Sequence, residues 1–252
     1  MGKVVIAEQI VKSFGAGHEK QTVLDGVSVS IDEGEFVSVM GPSGSGKSTL
    51  LYALSGMDRI DGGKVTFDGT DLSTLGEREL SDLRRTRMGF IFQQPTLLKN
   101  LNILDNIILP AMRGKRKTAG EILAKARTLM KQVGIDGLEN RNIAQVSGGQ
   151  LQRAGICRAL INDPKIIFCD EPTGALNSKS AQEVMDILSD IHRGGTTVVL
   201  VTHDPKVAAR AERILFMRDG NMVSELRFGR FDGTDLEERT RQVTENMQEL
   251  GI

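Results

Sequence analysis

Apolar positions recur along the chain with two different periods, and the switch between them outlines the elements. Residues 3–12 and 22–31 alternate apolar and polar positions, as in Val27-Ser28-Val29-Ser30-Ile31, and predict strands. Phe36-Val37-Ser38-Val39-Met40 predicts a short strand running into a Gly-rich turn, followed by a helix from about Lys47 to Met57. Residues 64–68 predict another strand, 77–87 a charged helix, and Gly89-Phe90-Ile91-Phe92 a further short strand. From about residue 100 to 162 helical periodicity dominates, with basic connections such as Arg113-Gly114-Lys115-Arg116-Lys117. The run Lys165-Ile166-Ile167-Phe168-Cys169-Asp170 is apolar almost throughout, the pattern of a strand buried on both faces of a parallel sheet. A helix over 178–193 and a second buried strand, Thr197-Val198-Val199-Leu200-Val201, continue the alternation. Strands alternating with helices predict an α/β fold with a mainly parallel sheet, interrupted by a helical insertion.

The tail from 234 to 250 predicts an amphipathic helix. Thr234 and Glu237 have capping-box spacing, and Leu236, Val243, Met247 and Leu250 share one face. That face packs on the chain's own core or docks a partner.

Composition narrows the class. The 252 residues are 39% hydrophobic and 26% charged, with a net charge of -1. A core of ordinary size is within reach, and no basic excess points to nucleic acid. Cys157 and Cys169 stand in apolar surroundings without a C-x-x-C pair, and read as buried thiols of a reducing compartment. No signal peptide is visible and no run of about 18 apolar residues occurs, so the expectation is a chain that serves a membrane, if at all, through a partner and from the cytoplasm.

Gly41-Pro42-Ser43-Gly44-Ser45-Gly46-Lys47-Ser48 matches G-x-x-x-x-G-K-[ST] at every fixed position, between a predicted strand and a predicted helix. Residue frequencies give a chance match a probability on the order of one per cent in a chain of this length. Glycines let the backbone wrap phosphate oxygens, and successive amides at a helix N-terminus face the anion. Gly41, Ser43, Gly44, Ser45, Gly46, Lys47, Ser48 and Thr49 are therefore candidate ATP-binding residues. Lys47 is expected to reach the β- and γ-phosphates, and Ser48 to offer its hydroxyl to Mg²⁺. Asp170 and Glu171 close the apolar strand at its carboxyl end, where ligands of open parallel sheets bind. Asp170 is the candidate for Mg²⁺, directly or through water, and Glu171 the candidate general base. His203 follows the next strand to the same sheet edge, where it is placed to contact a γ-phosphate or orient water.

A phosphate loop alone stops at nucleoside triphosphatase. Ser147-Gly148-Gly149-Gln150, at the start of a helical run, narrows it: residues 146–151 resemble the signature sequence of ABC transporter ATPases. The resemblance spans residues 1 to about 226, leaving 227–252 as an extension that carries the tail helix. It implies a P-loop core, an antiparallel β subdomain at the N-terminus, and a helical subdomain at roughly 95–162. It also implies roles for single residues. Phe14 takes the place of the ring that stacks on adenine, and Gln93 that of the glutamine sensing Mg²⁺ and water. His203 matches the switch histidine, and Ser147, Gly148, Gly149 and Gln150 of one copy would close over ATP held by another, in an ATP-dependent head-to-tail homodimer. The family usually has Asp where Asn177 stands, which weakens the expectation for coupling between the two sites.

Gly89 to Gln93, Leu97-Leu98, Asn106-Ile107, Pro110 and Asp170 to Leu176 are similar to the macrolide-export and lipoprotein-release branch. Gly174-Ala175-Leu176 is the form common in bacitracin-resistance-type transporters. The implied function is ATP hydrolysis that energises export or antimicrobial-peptide resistance through a membrane permease on a separate chain, at the inner face of the membrane. The alternative is a regulatory ATPase of the same branch that drives a cell-wall hydrolase; the genes beside this one would discriminate the two. Two-cassette translation factors and coiled-coil chromosome proteins do not fit, because the chain holds one phosphate loop and no sustained heptads.

Overall fold

The computed structural model describes residues 2–15, 17–113 and 118–252. Met1, Ala16 and the basic connection 114–117 lie outside the described residues.

In chain order the elements begin with β1 (Lys3–Phe14), β2 (Gln21–Asp32), β3 (Phe36–Met40) and α1 (Lys47–Leu54). Next come β4 (Gly62–Phe67), β5 (Thr70–Asp71), α2 (Glu77–Arg87), β6 (Met88–Phe92), α3 (Ile103–Met112), α4 (Ala119–Gln132) and α5 (Gly148–Leu160). The chain closes with β7 (Ile166–Asp170), α6 (Ser178–Arg193), β8 (Thr197–Thr202), α7 (Pro205–Ala208), β9 (Arg213–Arg218), β10 (Asn221–Arg227) and α8 (Leu236–Leu250).

Two sheets result. The first is antiparallel, in the order β2-β1-β4-β5. The second runs β10-β9-β3-β8-β7-β6, parallel from β9 to β6, with β10 added antiparallel at one edge. β3 and β8 are buried at every position. Their apolar runs have no polar face because both sides of a parallel sheet are covered. One core, with Ile10, Leu50, Phe67 and Phe168, lies between the sheets and α1; a second, with Phe36, Leu188, Leu200 and Phe216, lies on the opposite face under α6. A third, with Ile107, Met130 and Cys157, joins α3, α4 and α5.

β9 and β10 are not foreseen by the sequence reading. The tail helix also starts later than expected. Asp232 accepts from both the amide (2.8 Å) and the hydroxyl (2.7 Å) of Thr234, so Thr234 is used in a turn and Asp235 is the N-cap, without a side-chain cap bond. α8 packs on its own chain. Val243 is fully buried, with Leu236, Met247 and Leu250 against the second core. The Arg239 guanidinium, buried 5.1 Å from the Phe228 ring centroid and 5.5 Å from that of Phe231, donates to Gly229 O at 2.8 Å. Among the described residues no helix is long and apolar enough to cross a membrane.

Candidate functional site

The loop between β3 and α1 carries the phosphate-loop sequence, and its neighbours dictate its glycines. A Cβ at Gly41 would lie 2.2 Å from Met217 O of β9, and Gly46 adopts φ +99 with Val23 O only 2.8 Å from where a Cβ would be. The loop is thus pressed against β2 and β9, and any larger residue would push it off. α1 then begins with Gly46 as its N-cap, no side-chain cap and no acid in its first turn. The first intrahelical bond runs from Leu50 N to Gly46 O, so the amides of Lys47, Ser48 and Thr49 have no helical acceptor. The Ser45 hydroxyl is buried and also lacks a partner. The uncapped amides and the positive end of the helix fit a bound anion, whereas Ser45 does not line the cleft.

Lys47 Nζ donates to Gly41 O (2.8 Å) and Pro42 O (2.7 Å), which holds the ammonium inside the loop. Burial lowers its pKa, and the attraction of Glu171 and Asp170 works against that.

The parallel register brings the ends of β7 and β8 to the same edge, pairing Asp170 with Val201. Asp170 Oδ1 accepts from Ser48 Oγ at 2.8 Å, and Oδ2 from the Tyr52 hydroxyl at 2.7 Å. Burial, then the adjoining carboxylate, raises the pKa of the Tyr52 phenol. Glu171 follows with φ +46, a left-handed conformation that costs a residue with a side chain about 1–2 kcal/mol. Two bonds hold it there, Glu171 N to Val201 O and Gly174 N to Glu171 O, both 3.0 Å. Its Oε1 lies 3.0 Å from His203 Nδ1. The contact ties the two side chains together, with the imidazole otherwise largely exposed.

A cleft of about 740 Å³ is lined by Ser43, Gly44, Gly46, Lys47, Ser48, Thr49, Glu171 and His203, together with Gln21 and Val23 of β2. The sheet topology therefore gathers the phosphate loop, the acidic strand end and the histidine. Gln93 lies beside them: its Nε2 would be 2.8 Å from a Cβ on Gly174, in the loop that Glu171 begins.

Two predicted elements stand apart from the cleft. Phe14 is 47% exposed and pairs with the cleft residue Gln21 across β1 and β2. Lys12 Nζ lies 5.0 Å from its ring centroid and is itself anchored to Asp58 at 2.8 Å. Ser147, Gly148, Gly149 and Gln150 open α5, and none lines the cleft of its own chain. Ser147 and Gln150 form a capping box, Ser147 N donating to Gln150 Oε1 at 2.8 Å and Gln150 N to Ser147 Oγ at 3.3 Å. Asn177 caps α6, its Oδ1 accepting from Ser180 N at 2.9 Å, a duty that Asn and Asp perform equally well. The two thiols have no part in the site: burial pushes Cys157 up to about 12 and raises Cys169 further.

Sequence reasoning missed two contributors. Tyr52 is one. Gln152 is the other: buried on α5, its Nε2 donates to Phe92 O at 2.9 Å and Pro172 O at 2.8 Å. One amide thus ties together the carbonyl preceding Gln93 and the carbonyl following Glu171. The available signal was a glutamine on the apolar side of a helix.

Among the described residues no group of three or more His, Cys, Asp or Glu could hold a metal. That suits Mg²⁺, which takes one or two protein oxygens and completes its shell with phosphates and water. The touching pair Ser48 Oγ and Asp170 Oδ1 offers such oxygens.

Comparison with known proteins agrees with this geometry. Residues 24–174 match the family model described as ABC transporter. The chain is 42% identical over 229 residues to the bacitracin export ATP-binding protein BceA of Halalkalibacterium halodurans, covering 90% of this chain and 89% of that one. It is 41% identical over 222 residues to the macrolide export ATP-binding/permease protein MacB of Mannheimia succiniciproducens, with 88% of this chain matching 34% of that longer protein. Among solved structures, the ATP-binding cassette MJ0796, as a dimer in a post-hydrolysis state bound to ADP and Pi, superposes with a TM-score of 0.83 at 39% identity. That match covers 90% of this chain and 100% of the other. The chain belongs to the ABC transporter family, as one of its nucleotide-binding ATPase cassettes.

Proposed function

We propose that the chain is the ATP-hydrolysing subunit of an exporter, acting through a membrane permease on a separate chain and serving bacitracin-type antimicrobial-peptide resistance. The observation that carries the reading is the convergence of the phosphate loop, Asp170, Glu171 and His203 at one sheet edge. The likeness to BceA over nearly the full length of both chains supports a separate permease, whereas MacB carries the matching third within a longer protein. Residues 1–226 form the ATPase unit in this reading, with the helical subdomain at roughly 95–162 and residues 227–252 as an extension. Its place is the cytoplasmic face of the membrane, held there by the permease.

Residues of the loop from Gly41 to Thr49 bind the phosphates through backbone amides and Lys47, and Phe14 stacks on adenine at the rim. Ser48 and Asp170, with Gln93 beside them, would hold Mg²⁺, which when bound neutralises phosphate charge. Glu171 takes the proton of the attacking water, and His203 fixes the direction of that carboxylate. Ser147 to Gln150, absent from the chain's own cleft, complete the site of a second copy head to tail. ATP then joins two copies, and hydrolysis removes the γ-phosphate contacts that hold them shut.

The test is Glu171→Gln. ATP affinity should stay within about threefold, and turnover should fall by 10²–10⁴, the usual worth of a general base. Turnover near that of the parent chain would remove Glu171 from this role.

A further inference from the structure

Asp170 uses both carboxylate oxygens, and only one bond belongs to the phosphate-loop sequence. Oδ1 accepts from Ser48, while Oδ2 accepts from Tyr52 at 2.7 Å. Tyr52 lies on α1 among the buried residues Leu50, Leu51, Ala53 and Leu54, so its backbone is fixed by the first core. The phenol therefore reaches Asp170 from a rigid base.

From this arrangement we infer that Tyr52 is a positioning residue for the divalent cation, acting through Asp170. The inference rests on the reading that Ser48 and Asp170 hold that cation. A carboxylate turns easily about its last torsion, whose energy profile is broad. Lys47, whose ammonium is attracted to Asp170, offers a wrong direction in which to turn. A phenol donating to Oδ2 pins the carboxylate, leaving Oδ1 beside Ser48 Oγ, where the cation and its water are taken up.

Two effects of the phenol oppose one another. It draws charge from the carboxylate, which weakens the pull on a cation, and it fixes the direction of the carboxylate. Orientation wins, because removing a group that orients a metal ligand typically lowers metal affinity or activity by 10–100-fold. Ser48 retains a hold on Oδ1, so the loss belongs at the lower end, about tenfold.

The experiment titrates the full-length chain with a fluorescent non-hydrolysable ATP analogue, once with excess Mg²⁺ and once with EDTA. The quantity read is the ratio of the two dissociation constants. Tyr52→Phe keeps the ring and removes one O–H. It should leave the EDTA constant unchanged and cut the Mg²⁺ enhancement by about tenfold, while the Mg²⁺ concentration for half-maximal ATPase rises. Equal weakening in both titrations would mean a merely structural role, and an unchanged enhancement would mean none; either overturns the inference. Asp170→Asn separates the two levels. If it abolishes the enhancement while Tyr52→Phe preserves it, the cation site stands and the role of Tyr52 falls. If Asp170→Asn also leaves the enhancement intact, both fall together.

Discussion

Replacing Gln152 by leucine removes two hydrogen bonds between α5 and the catalytic edge. Leucine fits the volume, and α5 keeps its apolar seam. What is lost is a buried amide donating to Phe92 O and Pro172 O at 2.9 and 2.8 Å. Each bond contributes about 0.5–1.5 kcal/mol net, and the buried Pro172 carbonyl left without its donor costs about 1–3 kcal/mol more. Removing the buried polar amide itself offsets part of this, so a net loss of ~3 kcal/mol is expected. For a chain of this size that lowers Tm by about 6–12 °C, readable by calorimetry. The functional signature is separate. The loops carrying Gln93 and Glu171 lose a shared anchor while the phosphate loop is untouched. ATP affinity should hold, and kcat should fall about tenfold or more, as for a displacement of reacting groups by a fraction of an ångström. A Gln152→Leu chain with unchanged Tm and kcat would refute the idea that this amide braces the two loops.

Three further substitutions probe neighbouring parts of the site and fold. Gly174→Ala places a Cβ 2.8 Å from Gln93 Nε2 and 3.3 Å from Glu171 Oε2; because both are side-chain ends that can swing away, Tm should hold while kcat falls about ten- to a hundredfold, and normal turnover would show that neither position matters. Asn177→Asp keeps the cap of α6 and adds charge at a helix N-terminus, gaining about 0.3–1 kcal/mol with ATPase equal or higher; a large loss of ATPase would show that Asn is specifically required. His192 is buried beside Gly34 O and Glu212, and burial lowers its pKa against the pull of Glu212 and that carbonyl, with Arg230 adding to the lowering. The folded state therefore binds its proton less readily than the unfolded chain, so stability is full above about pH 6.5 and is lost as pH falls below it; in urea titrations across that range, a His192→Gln chain should show a shallower loss, and an unaltered slope would contradict this.

The parts of the site that were legible in the sequence are those whose chemistry fixes a local spacing. Phosphate wrapping dictates the glycines and lysine of Gly41 to Ser48, and a buried parallel strand announces its end through Asp170 and Glu171. The contributors that escaped act across long separations. Gln152 reaches Phe92 from 60 positions away and Tyr52 reaches Asp170 from 118, and no local pattern encodes such approaches. β9 escaped because Ile214 to Met217 is only a short apolar run between two arginines, a strand recognisable once β3 is seen to need a neighbour. The tail helix was visible in its apolar face, but its start was not. Asp232 and Asp235 competed with Thr234 for the turn, and a spacing rule does not settle which one wins. Ser147 and Gln150 cap each other in the single chain, a local pairing that the S-x-x-Q spacing itself announces. A hydroxyl that accepts one bond keeps its own hydrogen to donate, so Ser147 can meet an anion with the cap intact.

The most direct measurement is size-exclusion chromatography of Glu171→Gln with and without ATP and Mg²⁺. ATP should convert a monomer peak into a dimer, and adding Ser147→Arg to the same chain should abolish the shift, because each ATP is closed over by the partner's α5 N-terminus. A chain that binds ATP tightly yet stays monomeric, or a dimer indifferent to Ser147→Arg, would contradict the head-to-tail closure on which the account depends.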